Sequence, residues 1–367
     1  MATPNRKVSG TMPTKTNTTN TSTANMATAM NGEPDSLQQT VPVKAASPVA
    51  EWRERQFRAM NTTVDLTYFG PDSQIGAYVE NFFERSEQRF SRFRPSSELV
   101  VLNDCDEPEC DVSAELFELL EAAKWANRAT NGLFEPAVLD QLERAGYDRS
   151  FEQVRDISDA AEDATDPIAP AYGHTVLSLH LDSALRRVRR PVGLRIDLGG
   201  IGKGWTVDRC ADFLHVRGPF LLNAGGDLYA YGTGGDAQGW EIEIEDARQP
   251  ENAVAALTVS DAAVATSTVV KRHWQKGERR MHHIIDPRPG RPAATDVLTA
   301  TVVASRVAVA EVYAKSALIL GSGKGPAFLA ERGVEGVLQT EDGTLHATSG
   351  IAHKLALIAP DVRIKES

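Results

Sequence analysis

The run Ile196-Asp-Leu-Gly-Gly-Ile-Gly-Lys-Gly-Trp205 places four glycines, Gly199, Gly200, Gly202 and Gly204, within six residues. An apolar, strand-like stretch leads into it and a helix-like stretch from Gly204 to about Val216 leads out. Glycines in such a connection let backbone approach a ligand closely, and the open N–H groups of a helix N-terminus suit phosphate oxygens. Lys203 adds a point charge, and Asp197 a hydrogen-bond acceptor or metal partner. The spacing fits neither a Walker loop nor the Rossmann fingerprint. A tight strand-to-helix turn with no ligand is the competing reading. A second glycine turn, Asn223-Ala-Gly-Gly-Asp227, follows the next strand and can set a second backbone cradle beside the first, with Asn223, Gly225 and Gly226 facing the ligand.

An anionic ligand would have to be held locally, because the chain as a whole is acidic. Lys plus Arg total 39 against 50 Asp plus Glu, a formal charge of −11 over 367 residues. Arg6, Lys7, Lys15 and Lys44 against Glu33 and Asp35 give residues 1–49 a charge of +2, which leaves −13 for the remainder. That balance argues against a protein that coats nucleic acid or an anionic membrane.

Residues 1–49 read as a disordered tail. From Thr11 to Asn31, twelve of 21 residues are Thr or Asn, too polar to offset the entropy of ordering them. Ala160–Pro170 reads as an exposed acidic loop. Residues 50–367 then form one domain. Of three cysteines, Cys105 and Cys110 sit in the acidic stretch Asp104–Asp111, and no other Cys pair exists to complete a metal site. They read as reduced thiols in a loop. With no apolar run of membrane-spanning length and no secretory h-region at Met1, the expected compartment is the cytoplasm.

Strand and helix signals alternate along the rest. Val64–Phe69 suits a strand. Asp72 and Ser73 cap a helix with Ile75, Tyr78, Val79, Phe82, Phe83 and Phe90 on its apolar face. Ser113 opens another helix through Leu116, Phe117, Leu119, Leu120, Ala123 and Trp125, stopped by Gly132. Trp240–Glu245 alternates strictly, as an antiparallel strand with one wet face does. Leu298–Ala304 reads as a strand, Ala308–Leu320 as a helix, and Val334–Thr340 with Glu341-Asp342-Gly343 as the start of a hairpin. Hairpin-linked strands favour an α+β fold over a doubly wound parallel sheet.

In His282-His-Ile-Ile-Asp-Pro287 the adjacent histidines point to opposite faces of a strand. His283, beside Ile284 and Ile285, is the one expected to face a site and His282 to face solvent. Near neutrality an imidazole can take a proton from a hydroxyl.

Taken in order, Phe90-Ser-Arg-Phe-Arg-Pro-Ser-Ser-Glu-Leu99 with Asn103, Gly132-Leu-Phe-Glu-Pro136, the Asp197–Gly204 loop, the Asn223–Asp227 turn, Ala265-Thr-Ser267 and the His283–Pro287 run resemble the ApbE family, the FAD:protein FMN transferases, from about Met60 to beyond Gly321. The resemblance implies an α+β fold with a largely antiparallel sheet packed by helices, and FAD in the cleft between them. It implies that Met60, at the start of the first strand, meets the flavin end, that Phe93 packs on the ligand, and that Leu133, Phe134 and Glu135 contact it. It carries FAD binding onto Asp197 and Lys203, an apolar contact onto Ile284, and a backbone oxygen for Mg²⁺ onto Gly200. The implied reaction is attack by a Thr or Ser hydroxyl of an acceptor flavoprotein on the FMN-side phosphorus of FAD, with AMP leaving. His283 or Asp286 would receive the hydroxyl proton.

One departure stands out. Where the family's late helix carries Ala-Asp-x-x-x-Thr, with Asp and Thr on Mg²⁺, this chain has Ala310-Glu-Val-Tyr-Ala-Lys-Ser316. Glu311 can still bind Mg²⁺, whereas the Lys315 ammonium has donors and no lone pair. Glu311 and Lys315 are either a surface i,i+4 pair or a built-in cation facing the pyrophosphate. On the latter view a metal-free FAD-binding protein or an FAD pyrophosphate hydrolase is the alternative to transfer. Smaller departures are Asn61, where the family has Gly, Glu135 for Asp, and Pro289 for Thr. Arg272 and the Arg279-Arg280 pair give the acidic body a local basic patch.

Overall fold

The computed structural model describes residues 50–154, 173–235, 238–352, 354–357 and 362–366. The expected tail 1–49 and the acidic loop Ala160–Pro170 lie outside the described residues. A nine-stranded sheet forms the frame: β1 (Glu51–Ala59), β2 (Thr62–Gly70), β3 (Phe220–Ala224), β4 (Asp227–Tyr231), β5 (Ala262–Thr268), β6 (Val297–Ala304), β7 (Glu335–Thr340), β8 (Leu345–Ala347) and β9 (Ile364–Glu366). Spatial order equals chain order. Every neighbouring pair is antiparallel except β8 and β9, which run parallel.

The sheet stays in place because its side chains alternate between two cores. On β3, Phe220, Leu222 and Ala224 face helices, while Leu221 faces the other way. On β4, Tyr229 joins the helical side, and Leu228 and Ala230 the opposite one. The helical layer contains α1 (Gln74–Phe90), α2 (Glu98–Asp104), α3 (Ala114–Ala129), α4 (Leu139–Arg144), α5 (Gly202–Leu214), α6 (Val307–Leu320) and α7 (Gly325–Glu331). The other face is covered by a three-stranded sheet of Trp240–Asp246, Gln249–Val259 and Leu355–Leu357. Trp240, Ile242 and Ile244 are buried there while Glu241, Glu243 and Glu245 are exposed, the alternation the sequence carries.

The expected caps are met in part: at α1 Asp72 Oδ1 accepts the Gln74 amide at 2.7 Å, while Ser73 makes no side-chain capping bond. Ser113 Oγ accepts the Leu116 amide at 3.2 Å, and Gly132, at φ 81°, ends the α3 region. The α5–α6 pair is tied more tightly than sequence suggests. Gly204 is glycine because a Cβ there would lie 2.8 Å from the backbone of Ala308, so two helices meet main chain to main chain. Asp208 on α5 accepts the amides of Val307 and Ala308 at 2.8 and 3.0 Å, capping α6 from outside.

Several expectations change. Met60 does not start the first strand: β1 precedes it, and Met60 and Asn61 form the two-residue turn of the β1–β2 hairpin at φ 51° and 59°. That turn requires left-handed backbone, which Asn tolerates well among non-glycine residues, so Asn61 can stand where the family has Gly. Trp125 is largely exposed rather than part of the α3 core face. Cys105 and Cys110 form a disulfide, not a pair of reduced thiols, because the end of α2 and the short strand Cys110–Asp111 turn back on one another. His282 does not face solvent: it is half-buried, with Nε2 3.1 Å from the Ala293 carbonyl and Nδ1 accepting the Ile284 amide. Among the described residues no helix is long and apolar enough to cross a membrane.

Candidate active site

A cleft of about 720 Å³ opens between the β1–β2 and β3–β4 turns, the glycine loop before α5, and α6. The Asn223–Asp227 turn reaches it as two successive left-handed residues, Gly225 (φ 68°) and Gly226 (φ 99°), joining β3 to β4. Asn223 Oδ1 holds that turn by accepting the Gly226 amide at 2.8 Å.

The floor is a cluster of charges from separate elements. Lys203, in the first turn of α5, donates to both Asp227 and Glu311, the latter at 3.1 Å. Glu311 also accepts the Gly204 amide at 2.9 Å. Burial opposes the charge on Lys203, yet Asp227 and Glu311 together raise its pKa. Burial pushes the Asp227 carboxyl up. Glu311 is 5% exposed, so it and Lys315 are not a surface pair. Lys315 turns into the cleft instead, its Nζ 5.4 Å from the centroid of Phe134 and packed so tightly on Gly200 that a Cβ there would be 1.7 Å away. Burial lowers its pKa against the pull of Glu311 and Asp197.

Asp197 is paired with Arg92, Nε to Oδ2 2.9 Å, both side chains largely buried. Arg92 in turn stacks over Phe93 at 4.1 Å and Tyr147 at 4.6 Å, which builds an aromatic wall continued by Trp274. Beside it, edge-on to Tyr147 with ring centroids 6.3 Å apart, His283 lines the cleft, its Nδ1 3.4 Å from the Arg272 carbonyl. Burial, with Arg272 and Lys315 nearby, holds its pKa well below the usual histidine value, so the imidazole is neutral.

The cleft thus gathers Met60, Phe93, Asp197, Gly200, Lys203, Asn223, Gly225, Gly226, His283, Ile284, Glu311 and Lys315. It does not gather the rest. Asp286 is bound by Arg288 through two hydrogen bonds of 2.9 and 2.7 Å and lies outside the lining. Glu135 accepts from Ala137 and Val176 at 2.8 Å and from Asn127 at 2.9 Å; it ties chain segments together behind the cleft, where burial raises its pKa. Leu133 packs on the core, and Phe134 reaches the site only beneath Lys315. The glycine loop differs from an open amide cradle as well: the amides of Gly199, Ile201, Gly202 and Gly204 donate to Asp197, Leu198, Leu198 and Glu311. Sequence reasoning missed Arg92, Tyr147 and Asp227 as site residues. Asp227, the closing residue of the glycine turn, carried the readable signal.

The Mg²⁺ site implied by the family does not fit these residues. Both Glu311 oxygens already accept hydrogen bonds, the position four residues on is an ammonium, and that ammonium packs against Gly200. Among the described residues no three His, Cys, Asp or Glu side chains converge as a metal cluster.

The α+β frame thus holds one cleft with two lysines and two carboxylates in its floor and an aromatic wall beside them. The chain belongs to the ApbE family, whose model matches residues 60–338. It is 28% identical to a FAD:protein FMN transferase of Treponema pallidum across 78% of this chain and 84% of that protein. A Klebsiella pneumoniae FAD:protein FMN transferase is 26% identical over 74% of this chain and 84% of its own length. Among solved structures, the ApbE protein of Thermotoga maritima superposes with a TM-score of 0.73 at 25% identity, covering 83% of this chain and 99% of that one. The flavin transferase ApbE of Vibrio cholerae gives 0.71 at 24% identity, over 83% and 100%, which speaks to the fold.

Proposed function

We propose that residues 50–367 act as one unit that transfers the FMN part of FAD to a Thr or Ser hydroxyl of an acceptor flavoprotein and releases AMP. Its curated relatives are named for that activity. The observation that carries the reading is the pair of lysines, Lys203 and Lys315, that converge under the glycine loop in a body that is otherwise strongly acidic. Lys203 is held by Asp227 and Glu311, so the charge of a pyrophosphate and of the departing AMP phosphate falls chiefly to Lys315. Phe93 and Tyr147, backed by Arg92, offer a face for a planar ring.

The acceptor oxygen forms a bond to the FMN-side phosphorus as the bridging bond to AMP breaks and takes its electron pair with AMP. The hydroxyl proton passes to His283, which lines the cleft. Asp286 is left out of this step because Arg288 holds it.

The compartment follows the redox state of Cys105–Cys110. A bond that persists belongs to an oxidising compartment, against the cytoplasm that the sequence suggests.

The test is incubation of the purified protein with FAD and a candidate acceptor, followed by mass spectrometry. The expected result is one FMN added on a Thr or Ser per AMP released. Tight FAD binding with neither adduct nor AMP would sink the reading.

A further inference from the structure

The geometry points to Lys315 as a built-in replacement for the divalent cation, so that FAD is bound in this cleft without metal; this rests on the FAD reading above. Three observations meet at one point. Glu311, the carboxylate of the implied metal site, has both oxygens occupied by the Gly204 amide and Lys203. Lys315, four residues on and on the same helix face, sends its ammonium to the backbone of Gly200, the residue whose oxygen the resemblance gives to Mg²⁺. The loop amides of Gly199, Ile201, Gly202 and Gly204 already donate to Asp197, Leu198, Leu198 and Glu311, so these four are engaged within the protein.

The ion pairs agree. Lys203 pairs with Asp227 and Glu311 and Arg92 with Asp197, while Lys315 forms no ion pair among the described residues. A Mg²⁺ in the same place would meet an ammonium that packs against Gly200 and has no lone pair to share. The positive charge that other chains import is here covalently fixed to α6, and Phe134 beneath the ammonium holds it in position.

The experiment has two arms. In the first, FAD affinity is measured by flavin fluorescence with the wild-type protein in EDTA and in MgCl₂. The expected constants agree within about twofold, since no metal contributes. An affinity that falls tenfold or more in EDTA, on the order of 1.4 kcal/mol, and returns with Mg²⁺ would overturn the inference. Lys315→Thr should weaken FAD by roughly ten- to a hundredfold in EDTA and regain it with Mg²⁺, whereas Lys315→Met should weaken it without regain. In the second arm, Mn²⁺ is titrated into ligand-free protein and followed by electron paramagnetic resonance. Wild type should show no stoichiometric site and Lys315→Thr should show one. A stoichiometric Mn²⁺ in wild type that Glu311→Gln removes would overturn the inference without any appeal to FAD. A protein that binds no FAD in either buffer would instead end the transferase reading, while the Mn²⁺ arm still decides the cation.

Discussion

The Glu311 carboxylate accepts the Gly204 amide hydrogen at 2.9 Å, so the middle of α6 grips the first turn of α5 at the spot where their backbones are closest. The same carboxylate holds Lys203. Loss of Glu311 therefore removes both the clamp on the glycine loop and half of the counter-charge under Lys203.

Glu311→Ala should lower stability by about 3 kcal/mol, because a buried amide and a buried ammonium lose their partner together. Urea unfolding measures this. An effect below ~1 kcal/mol, typical of exposed pairs, would mean that water reaches the floor and the clamp is not buried.

Replacing His283 by Gln should leave FAD affinity close to wild type but slow FMN transfer by roughly 10²–10⁴-fold, the usual contribution of one general base. Single-turnover transfer with saturating FAD separates the two quantities. Equal rates for both proteins would move the base elsewhere in the cleft.

Burial lowers the pKa of His282 from the ordinary 6.5 to about 4. Between those values the unfolded chain binds a proton that the folded chain refuses. The contribution of His282 is thus complete above pH 6.5 and is lost as pH falls toward 4, by at most about 3 kcal/mol. His282→Gln should flatten this part of the acid dependence, seen as a smaller difference in unfolding free energy between pH 7 and pH 4.5. Parallel curves for the two proteins would show that the imidazole is not desolvated in the fold.

Asn61→Val should cost about 1–2 kcal/mol and Asn61→Gly little, since a β-branched residue resists the left-handed turn conformation. Thermal melts of the pair test it, and a harmless valine would mean the hairpin turn can rebuild with another geometry.

Thiol counting on protein isolated from its native source should find one free cysteine, Cys210, which is buried and reacts only after unfolding. Three reactive thiols in the unfolded, unreduced protein would return Cys105 and Cys110 to the reduced state and favour the cytoplasm.

Much of the frame was readable. Strict alternation at Trp240–Glu245, the Ser113 cap and the apolar period of Ala308–Leu320 all became the elements they suggested, because each signal is local. β1 escaped because Glu51–Ala59 is rich in Arg and Glu and buries only Phe57 and Ala59. Site residues on motifs, such as Lys203, Asn223 and His283, fell into one cleft. Arg92 did not stand out, since its meaning depends on Asp197, a partner 105 positions along the chain. Glu135 and Asp286 lie outside the cleft lining, where partners that a motif does not reveal engage both carboxylates.

Because the nine strands follow chain order, Lys203, His283, Glu311 and Lys315 sit on detours between strands that are already neighbours. The detours 71–219 and 305–334 bring α5 and α6 to the floor without crossing a single strand pair. Side chains of α5 and α6 can therefore be exchanged at the floor of the cleft while the sheet's hydrogen-bonding pattern remains untouched.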